Sequence, residues 1–143
     1  MPEGTCLGRS GLATSCQDTS DGLKAAIESI ANASGVGFRV AEGSVPVSEE
    51  VLAVCDHLGG DVMTMIMGDS VDFELVFTVP EEHVDTLAGR FAEAGQSFTP
   101  IGYATRPGLV ELCGADGVGR PLPGAAWRHS PEPGLLSQRV HAL

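Results

Sequence analysis

The stretch Cys16-Gln17-Asp18-Thr19-Ser20-Asp21-Gly22-Leu23 decides the fold, because it lies where a short strand gives way to an amphipathic helix. Apolar residues recur after it at helical spacing, from Leu23 to Ala31, and Gly35 follows as a C-terminal cap. A helix start carries unpaired N–H groups and positive dipole charge, so it can hold a phosphate while nearby acids hold that phosphate's metal ion. The simpler alternative is that Asp18 caps the helix, with Asp21 completing an imperfect capping box.

Composition limits the classes of protein to consider. The chain has 143 residues, of which 43% are hydrophobic and 19% charged, and this balance is typical of one globular domain. A net charge of −11 argues against a nucleic-acid or anionic-membrane surface. Four scattered cysteines without a C-x-x-C pair indicate buried thiols of a reduced protein, and the N-terminus lacks the pattern of a signal peptide, so we expect a cytoplasmic protein.

The first half of the chain predicts alternating strands and helices. We expect residues 1–11 to be irregular, 12–18 to form a weak strand, 19–34 a helix and 36–41 a second strand. Ser48 is a good N-cap for a further helix, whose apolar stripe comprises Val51, Val54, Cys55 and Leu58 and which Gly59-Gly60 ends. Residues 61–67 fit either a helix or a strand, and their methionines fit a role as core filler.

The second half contains the clearest strand, residues 73–79, followed by a helix that Pro80 opens and Gly95 closes. Residues 97–104 and 109–113 predict two more strands, joined as a hairpin across Arg106-Pro107-Gly108, with irregular chain after residue 117. This order predicts an α/β or α+β layered fold, with a mixed sheet and flanking helices.

Several motifs resemble one known family. Asp18-Thr19-Ser20-Asp21-Gly22-Leu23 is similar to the Asp-x-Ser-Asp-Gly-Leu motif of thiamine-monophosphate kinase. The run from Asp72 to Pro80 resembles that family's Gly-Gly-Glu-Asp-Tyr-Glu-Leu-Leu-Phe-Thr-Val-Pro, and residues 124–129 resemble its closing Gly-aromatic-x-His segment. The resemblance covers residues 12–130 and is to the C-terminal domain of a superfamily that includes aminoimidazole ribonucleotide (AIR) synthetase, selenophosphate synthetase and the HypE-type hydrogenase maturation factor.

The resemblance implies Mg²⁺ with ATP as cofactor and a two-sided site. The phosphate and nucleotide side would comprise Asp18, Ser20, Asp21 and Gly22, with Asp18 and Asp21 as metal ligands. The side of the second substrate would comprise Asp69, Ser70, Asp72, Phe73 and Trp127. Asp72 equally fits the simple end of a loop, and Trp127 equally fits a cap over an apolar edge.

The chain departs from the family pattern on the substrate side. Asp69-Ser70-Val71 replaces the family's Gly-Gly-Glu, and Phe73 replaces its tyrosine, so a carboxylate and a hydroxyl are lost and the loop is more crowded. This predicts a changed or lost second substrate.

The resemblance also leaves the family's N-terminal ATP-binding domain without a match, so we expect residues 1–143 to form a single domain of the C-terminal type, with 131–143 as a tail or docking arm. Two functions follow. The chain is one half of a Mg·ATP-dependent phosphotransferase, completed by a separate N-terminal-domain protein, or it is a stand-alone ligand-binding or protein-interaction domain. The resemblance implies that this type of domain buries one face against the N-terminal domain. That face must be covered by another chain here, so we expect a homo-oligomer or a hetero-complex. A small phosphorylated ligand is compatible with either function.

Overall fold

The computed structural model describes residues 2–68 and 74–124. The helices are α1 (Pro2–Ser10), α2 (Leu23–Ser34), α3 (Glu49–Leu58), α4 (Val62–Met67) and α5 (Val84–Glu93). The strands are β1 (Ser15–Asp18), β2 (Gly37–Ala41), β3 (Leu75–Thr78), β4 (Gly102–Thr105), β5 (Val110–Cys113) and β6 (Gly119–Pro121).

The strands form two sheets. β1 and β3 pair antiparallel as the small sheet, in which Asp18 lies opposite Leu75. The large sheet has the order β4-β2-β5-β6, in which β2 is antiparallel to β4 and parallel to β5. Helices pack against these sheets, so the predicted layered α/β fold with a mixed sheet is confirmed.

The predicted hairpin between residues 97–104 and 109–113 is wrong. β2 lies between β4 and β5 and pairs with both, so the turn at Arg106-Pro107-Gly108 carries the chain across β2. The hairpin that does form joins β5 to β6, and Arg120 of β6 lies opposite Leu112. The sequence predicts irregular chain there, because Gly119 and Pro121 are poor strand formers. In the structure, both residues pair with β5 at the edge of the large sheet.

Helix α2 is the element that both sheets share. Ala26, Ile27, Ile30 and Ala31 are buried, as the apolar spacing predicted, and Gly35 ends the helix in the left-handed conformation at φ 65°. The capping prediction is wrong. Gly22 occupies the N-cap position with φ 95°, and no side chain accepts a hydrogen bond there, so Asp18 and Asp21 do not cap the helix.

Residues 1–11 are not irregular, as predicted, but form helix α1 over Pro2–Ser10. Among the described residues of α1, Leu7 is the only one that is buried, and it packs against Leu87 and Phe91 of α5. Arg90 Nη1 also donates to the carbonyl of Ser10 at 3.0 Å. This helix depends on contacts with residues 80 positions away. The glycines of residues 1–11, taken alone, therefore led to the wrong prediction of irregular chain.

The middle of the chain follows the predictions in part. Ser48 caps α3 by accepting from Val51 N at 3.3 Å, and Gly59 ends the helix at φ 70°. Of the predicted apolar stripe, only Cys55 is buried, because α3 packs chiefly against the short helix α4. Residues 61–67 resolve as that helix, and its buried Met63 and Met67 confirm the core-filler interpretation.

Two hydrophobic clusters lie on opposite sides of the small sheet. The first surrounds α2 and includes Val76 of β3 and Leu112 of β5. The second lies under α1 and α5, where Phe77 of β3 contacts Phe91 and Phe98, with ring centroids 6.2 Å and 5.3 Å away. Neighbouring residues of β3 thus pack into different clusters, as strand geometry requires. Pro80 precedes a short helical turn at Glu81–His83, and α5 begins only at Val84.

All four cysteines lie in the described residues and are free thiols. Cys55 is buried as predicted, but Cys6 and Cys113 are half-buried and Cys16 is exposed, so burial was wrong for those three. In the described ranges, no helix combines the length and the hydropathy that a membrane span needs.

Candidate functional site

The turn between β1 and α2 is anchored to the strand next to it by Thr19. This threonine is only 4% exposed. Its backbone N–H donates to Glu74 O at 3.0 Å, and its Oγ1 accepts from Glu74 N at 3.0 Å. These two hydrogen bonds to Glu74 fix the start of the turn relative to β3. They therefore also fix the backbone positions of the polar residues on either side of Thr19, which are Asp18 and Ser20.

Gly22 fixes the other end of the turn. Its N–H donates to Thr19 O at 2.9 Å, and its C=O accepts from Ala26 N at 3.2 Å, the first bond of α2. With φ at 95°, the position favours glycine. A Cβ on Gly22 would stand 2.5 Å from Gly68 O, so the backbone of Gly68 packs directly against the start of α2.

Gly68 also contacts Gly124, the last described residue before the closing segment. A Cβ on Gly124 would lie 3.2 Å from Gly68 N, and Lys24 Nζ in the first turn of α2 donates to Gly124 O at 3.0 Å. Three glycines from three distant stretches of sequence thus meet at the start of α2. Gly22, Gly68 and Gly124 form what we call the glycine junction, in which backbone packs on backbone.

The two acidic residues of this turn differ in their exposure. Asp18, the last residue of β1, is exposed, and its Oδ1 accepts from Ser20 Oγ at 2.9 Å and from Gln17 Nε2 at 3.4 Å. Ser20 is exposed as well, and Asp21 is half-buried directly before the N-cap glycine. The structure therefore brings Asp18, Ser20, Asp21 and Gly22 together around one helix start, where its positive dipole end favours anions.

The pKa of the Cys16 thiol shows how the negative charge of Asp18 affects strand β1. Although Cys16 is exposed as a residue, desolvation of its thiol raises the pKa, and the carboxylate of Asp18 raises it further, since a thiolate is repelled by a neighbouring negative charge. The end of β1 is thus an environment that favours cations or neutral groups when no counter-ion is present.

The donor set suits magnesium better than a closed metal cage. Within residues 2–68 and 74–124, no three histidine, cysteine or acidic side chains lie close enough to share a metal ion. Magnesium keeps several waters and uses one or two carboxylates together with substrate phosphates. Two acidic side chains beside a helix start fit that pattern, with Asp18 and Asp21 as the residues that would hold the ion.

The five residues predicted on the substrate side lie outside the described residues, namely Asp69, Ser70, Asp72, Phe73 and Trp127. The residues that flank the first four are described. Gly68 packs on Gly22 and Glu74 bonds to Thr19, so both ends of that segment contact the β1–α2 turn. Two motifs that are some 50 residues apart in sequence therefore meet at the same turn.

Sequence reasoning missed the residues that build this arrangement, which are Thr19, Lys24, Gly68, Glu74 and Gly124. The only available signals were the positions of Thr19 and of two of the glycines inside or beside the motifs. Their partners are long-range, and one sequence does not show which glycine meets which backbone.

Residues 3–112 match the family described as AIR synthase related protein, C-terminal domain. The chain belongs to this family.

A thiamine-monophosphate kinase from Pyrococcus horikoshii is 32% identical over 120 residues, which cover 84% of this chain and 35% of the kinase. The crystal structure of HypE from E. coli superimposes with a TM-score of 0.70 at 26% identity, over 92% of this chain and 40% of that one. The structure of AaThiL complexed with AMPPCP and TMP gives a TM-score of 0.64 at 26% identity, over 83% and 34%. The chain therefore spans between about a third and two fifths of the length of these relatives.

Proposed function

We propose that this chain forms the phosphate-binding side of a Mg·ATP-dependent phosphotransferase, as the C-terminal part of a thiamine-monophosphate-kinase-like enzyme. The observation that carries the proposal is the turn at Asp18–Gly22, where two acidic residues and a hydroxyl surround an uncapped helix start. The structure of AaThiL, a relative with the same fold, is of its complex with AMPPCP and TMP. The rest of the site comes from a domain of the family's N-terminal type, on the same polypeptide or on another one.

Phosphoryl transfer requires little covalent chemistry from the residues of this chain. Phosphoryl transfer is catalysed mainly by positioning and by neutralisation of the charge on the phosphate oxygens. A magnesium ion supplies that neutralisation when it is bound. Asp18 and Asp21 would hold it, and the N–H groups at the start of α2 would face the phosphates. Thr19 and the glycine junction act as positioning residues, because they set where these groups stand.

The substrate side is a proposal of the same kind. We assign Asp69, Ser70, Asp72 and Phe73 to it, because Gly68 and Glu74 on either side of them contact the phosphate-side turn. Trp127 follows Gly124, which packs on Gly68, and an indole ring there would stack on a flat ligand. ATP use and the free thiols both suit the cytoplasm, in a homo-oligomer or a hetero-complex.

The test is reconstitution. The chain is mixed with the part of the Pyrococcus horikoshii kinase that it does not match, and association and ATP hydrolysis are measured with magnesium present. We expect a stable complex whose turnover falls at least about a hundredfold in Asp21→Asn, a loss typical for one strong electrostatic contact. The control Asp116→Asn, on a turn of the large sheet, should keep full turnover. Mixtures that associate without turnover, or an Asp21→Asn variant as active as wild type, would contradict the proposal.

A second candidate function is a non-catalytic ligand-binding or protein-interaction domain. The observation that favours it is the sequence Asp69-Ser70-Val71 in place of the family's Gly-Gly-Glu, which removes a carboxylate from the substrate side. The two functions differ in one result. If the domain is non-catalytic, replacing both Asp18 and Asp21 by alanine leaves the cellular function intact while the protein stays folded.

A further inference from the structure

A cleft of about 430 Å³ lies between helices α1 and α5. Arg9 and Ser10 at the end of α1 line it, and so do Arg90 and Ala94 at the end of α5. These two helices pack on the hydrophobic cluster that lies on the opposite side of the small sheet from α2. Of the described residues that line this α1–α5 cleft, none belongs to the β1–α2 turn, so the cleft is a separate candidate site.

Two hydrogen bonds join the walls of the α1–α5 cleft. Arg90 Nη1 donates to Ser10 O at 3.0 Å, and Cys6 Sγ donates to Arg90 O at 3.8 Å. The first bond holds the guanidinium of Arg90 at the residue that directly follows Arg9. It uses one of the five N–H groups of that guanidinium, so the others can donate to a ligand.

The two arginines have no acidic partner in the part of the chain that the structure describes. The ion pairs found there join Lys24 to Glu28, Arg39 to Glu111 and Arg120 to Glu42. No acidic side chain is among the described residues that line the α1–α5 cleft. A chain with a net charge of −11 thus places two of its eight basic residues in one cleft. The cleft is locally positive in an otherwise acidic protein.

The two helix ends account for part of this positive charge. A helix C-terminus carries about half a negative elementary charge, and a basic residue in the last turn complements it. The ends of α1 and α5 therefore contribute about −1 together, against the two positive charges of Arg9 and Arg90. About one positive charge is left over, so the α1–α5 cleft favours an anion.

We propose that the α1–α5 cleft binds a small phosphate monoester, with its phosphate on Arg9 and Arg90 and its organic group against Pro2 and Ala94. Guanidinium groups bind phosphate oxygens through paired N–H donors, and two of them suit a dianion. The volume of about 430 Å³ is typical of a small-molecule site and is more than a bare phosphate ion fills. Pro2 and Ala94 give the cleft an apolar wall, which fits an apolar ester group.

Calorimetric titration of the full chain with phenyl phosphate tests the proposal, in phosphate-free buffer without divalent cations. We expect one-to-one binding, with an affinity at least about tenfold lower in Arg9→Gln, because a charged hydrogen bond to the phosphate is lost. Arg9→Gln should fold like wild type, since this side chain forms no hydrogen bond or ion pair with other described residues. The matched control Arg106→Gln removes the same charge from a turn of the large sheet and should leave the affinity unchanged.

Two further ligands separate the contribution of the phosphate from that of the ester group. Inorganic phosphate lacks the apolar group, and benzoate carries a singly charged carboxylate in place of the phosphate. We expect both to bind more weakly than phenyl phosphate. An equal affinity for inorganic phosphate would overturn the assignment of a monoester, and an equal affinity for benzoate would overturn the assignment of a phosphate.

Alkylation of the Cys6 thiol tests where the ligand binds. Cys6 and Cys113 are both half-buried, but Cys6 lines the α1–α5 cleft and Cys113 lies on the large sheet. With phenyl phosphate at about ten times its Kd, iodoacetamide should modify Cys6 about tenfold more slowly, because only the unoccupied fraction reacts. Modification of Cys113 should keep its rate. Mass spectrometry of the peptides measures both rates in the same sample.

Three results would overturn the proposal. They are a folded full chain that does not bind phenyl phosphate, equal losses of affinity in Arg9→Gln and Arg106→Gln, and binding that leaves the alkylation of Cys6 unchanged. Asp18→Asn should bind phenyl phosphate as wild type does, and a weaker affinity would place the ligand at the β1–α2 turn instead. None of these measurements involves magnesium or a nucleotide, so the proposal stands or fails separately from the proposed function.

Discussion

The two sheets of this protein use polar side chains in different ways. On the large sheet, charged groups pair with one another or with nearby backbone. Arg120 Nη2 lies 3.1 Å from Glu42 Oε1, and Arg39 donates to Cys113 Sγ and to Gly117 O, each at 3.2 Å. The hydrogen bond to Cys113 raises the pKa of Arg39.

At the end of the small sheet, the buried Thr19 holds the backbone, while the carboxylate residue Asp18 is exposed to solvent. Thr19 uses its hydroxyl and its N–H to bind Glu74, whereas Asp18 accepts hydrogen bonds from its neighbours Gln17 and Ser20. The charged groups described on the large sheet therefore pair within that sheet and its turns. In the β1–α2 turn, by contrast, Thr19 fixes the backbone and Asp18 is exposed to solvent. Such an arrangement suits a ligand that arrives with a cation.

The glycine junction gives the strongest test of this contrast. Gly22→Ala adds a Cβ 2.5 Å from Gly68 O at a φ of 95°, so backbone strain and overpacking add up. We expect it to lower the free energy of unfolding by about 4 kcal/mol, measured by urea denaturation. The control Gly35→Ala has a similar φ of 65° but open space around it, and should cost about 1–2 kcal/mol. Equal losses would show that the start of α2 is not tightly packed on Gly68.

Thr19 should produce a smaller loss that also reaches the site. Thr19→Val keeps the shape but removes the acceptor of the Glu74 N–H, a half-buried hydrogen bond whose loss should cost about 1 kcal/mol. We also expect weaker nucleotide binding, because the turn is no longer fixed to β3. The control Thr105→Val on the large sheet removes only a local 3.3 Å bond to Arg106 O and should alter neither quantity by much. If Thr19→Val left both stability and binding at wild-type levels, the anchoring role would be refuted.

The smallest expected effect concerns Asp61, which caps α4, the helix that ends beside Gly68. The hydroxyl of Thr64, at 2.8 Å, and its backbone N–H, at 2.9 Å, lower the pKa of this carboxyl. Its stabilising contribution is therefore full above the ordinary aspartate pKa of about 4 and is lost as the pH falls through the lower folded value.

Thermal unfolding of Asp61→Ala should show a melting temperature about 2–4 °C lower at pH 7. The difference from wild type should disappear in strong acid. Asp61→Asn, which can still cap the helix, should lose the pH dependence but little stability. A deficit in Asp61→Ala that is the same at every pH would exclude the carboxylate as its cause.

Local patterns predicted much of the fold correctly, because they depend on residues close in sequence. The face of α2, the caps Ser48 and Gly59 and the strand β3 all follow from spacing and turn chemistry. The errors arose where distant residues decide. The Arg106-Pro107-Gly108 turn looks like a hairpin, yet β2 inserts between the strands it joins.

The candidate site shows the same division. The residues Asp18–Gly22 are recognisable as a motif in the sequence alone. The four of them predicted for the phosphate side do lie together in the structure. The expectation that Asp18 caps α2 failed because Gly22 must approach Gly68 closely, and that places a glycine at the cap. Neither the contact with Gly68 nor the bond between Thr19 and Glu74 has a local signature, so only the folded chain reveals what positions the carboxylates.

The central claim is that the β1–α2 turn binds nucleotide phosphates through magnesium. Calorimetric titration with Mg·AMPPCP tests it most directly, on wild type, on Asp18→Asn and on Glu111→Gln, which removes a carboxylate from the large sheet. We expect binding to the wild type, an affinity at least about tenfold lower for Asp18→Asn, since a charged ligand to the ion is lost, and no change for Glu111→Gln. Equal affinities for wild type and Asp18→Asn, or no binding by the folded wild type even with the complementary domain present, would contradict the claim.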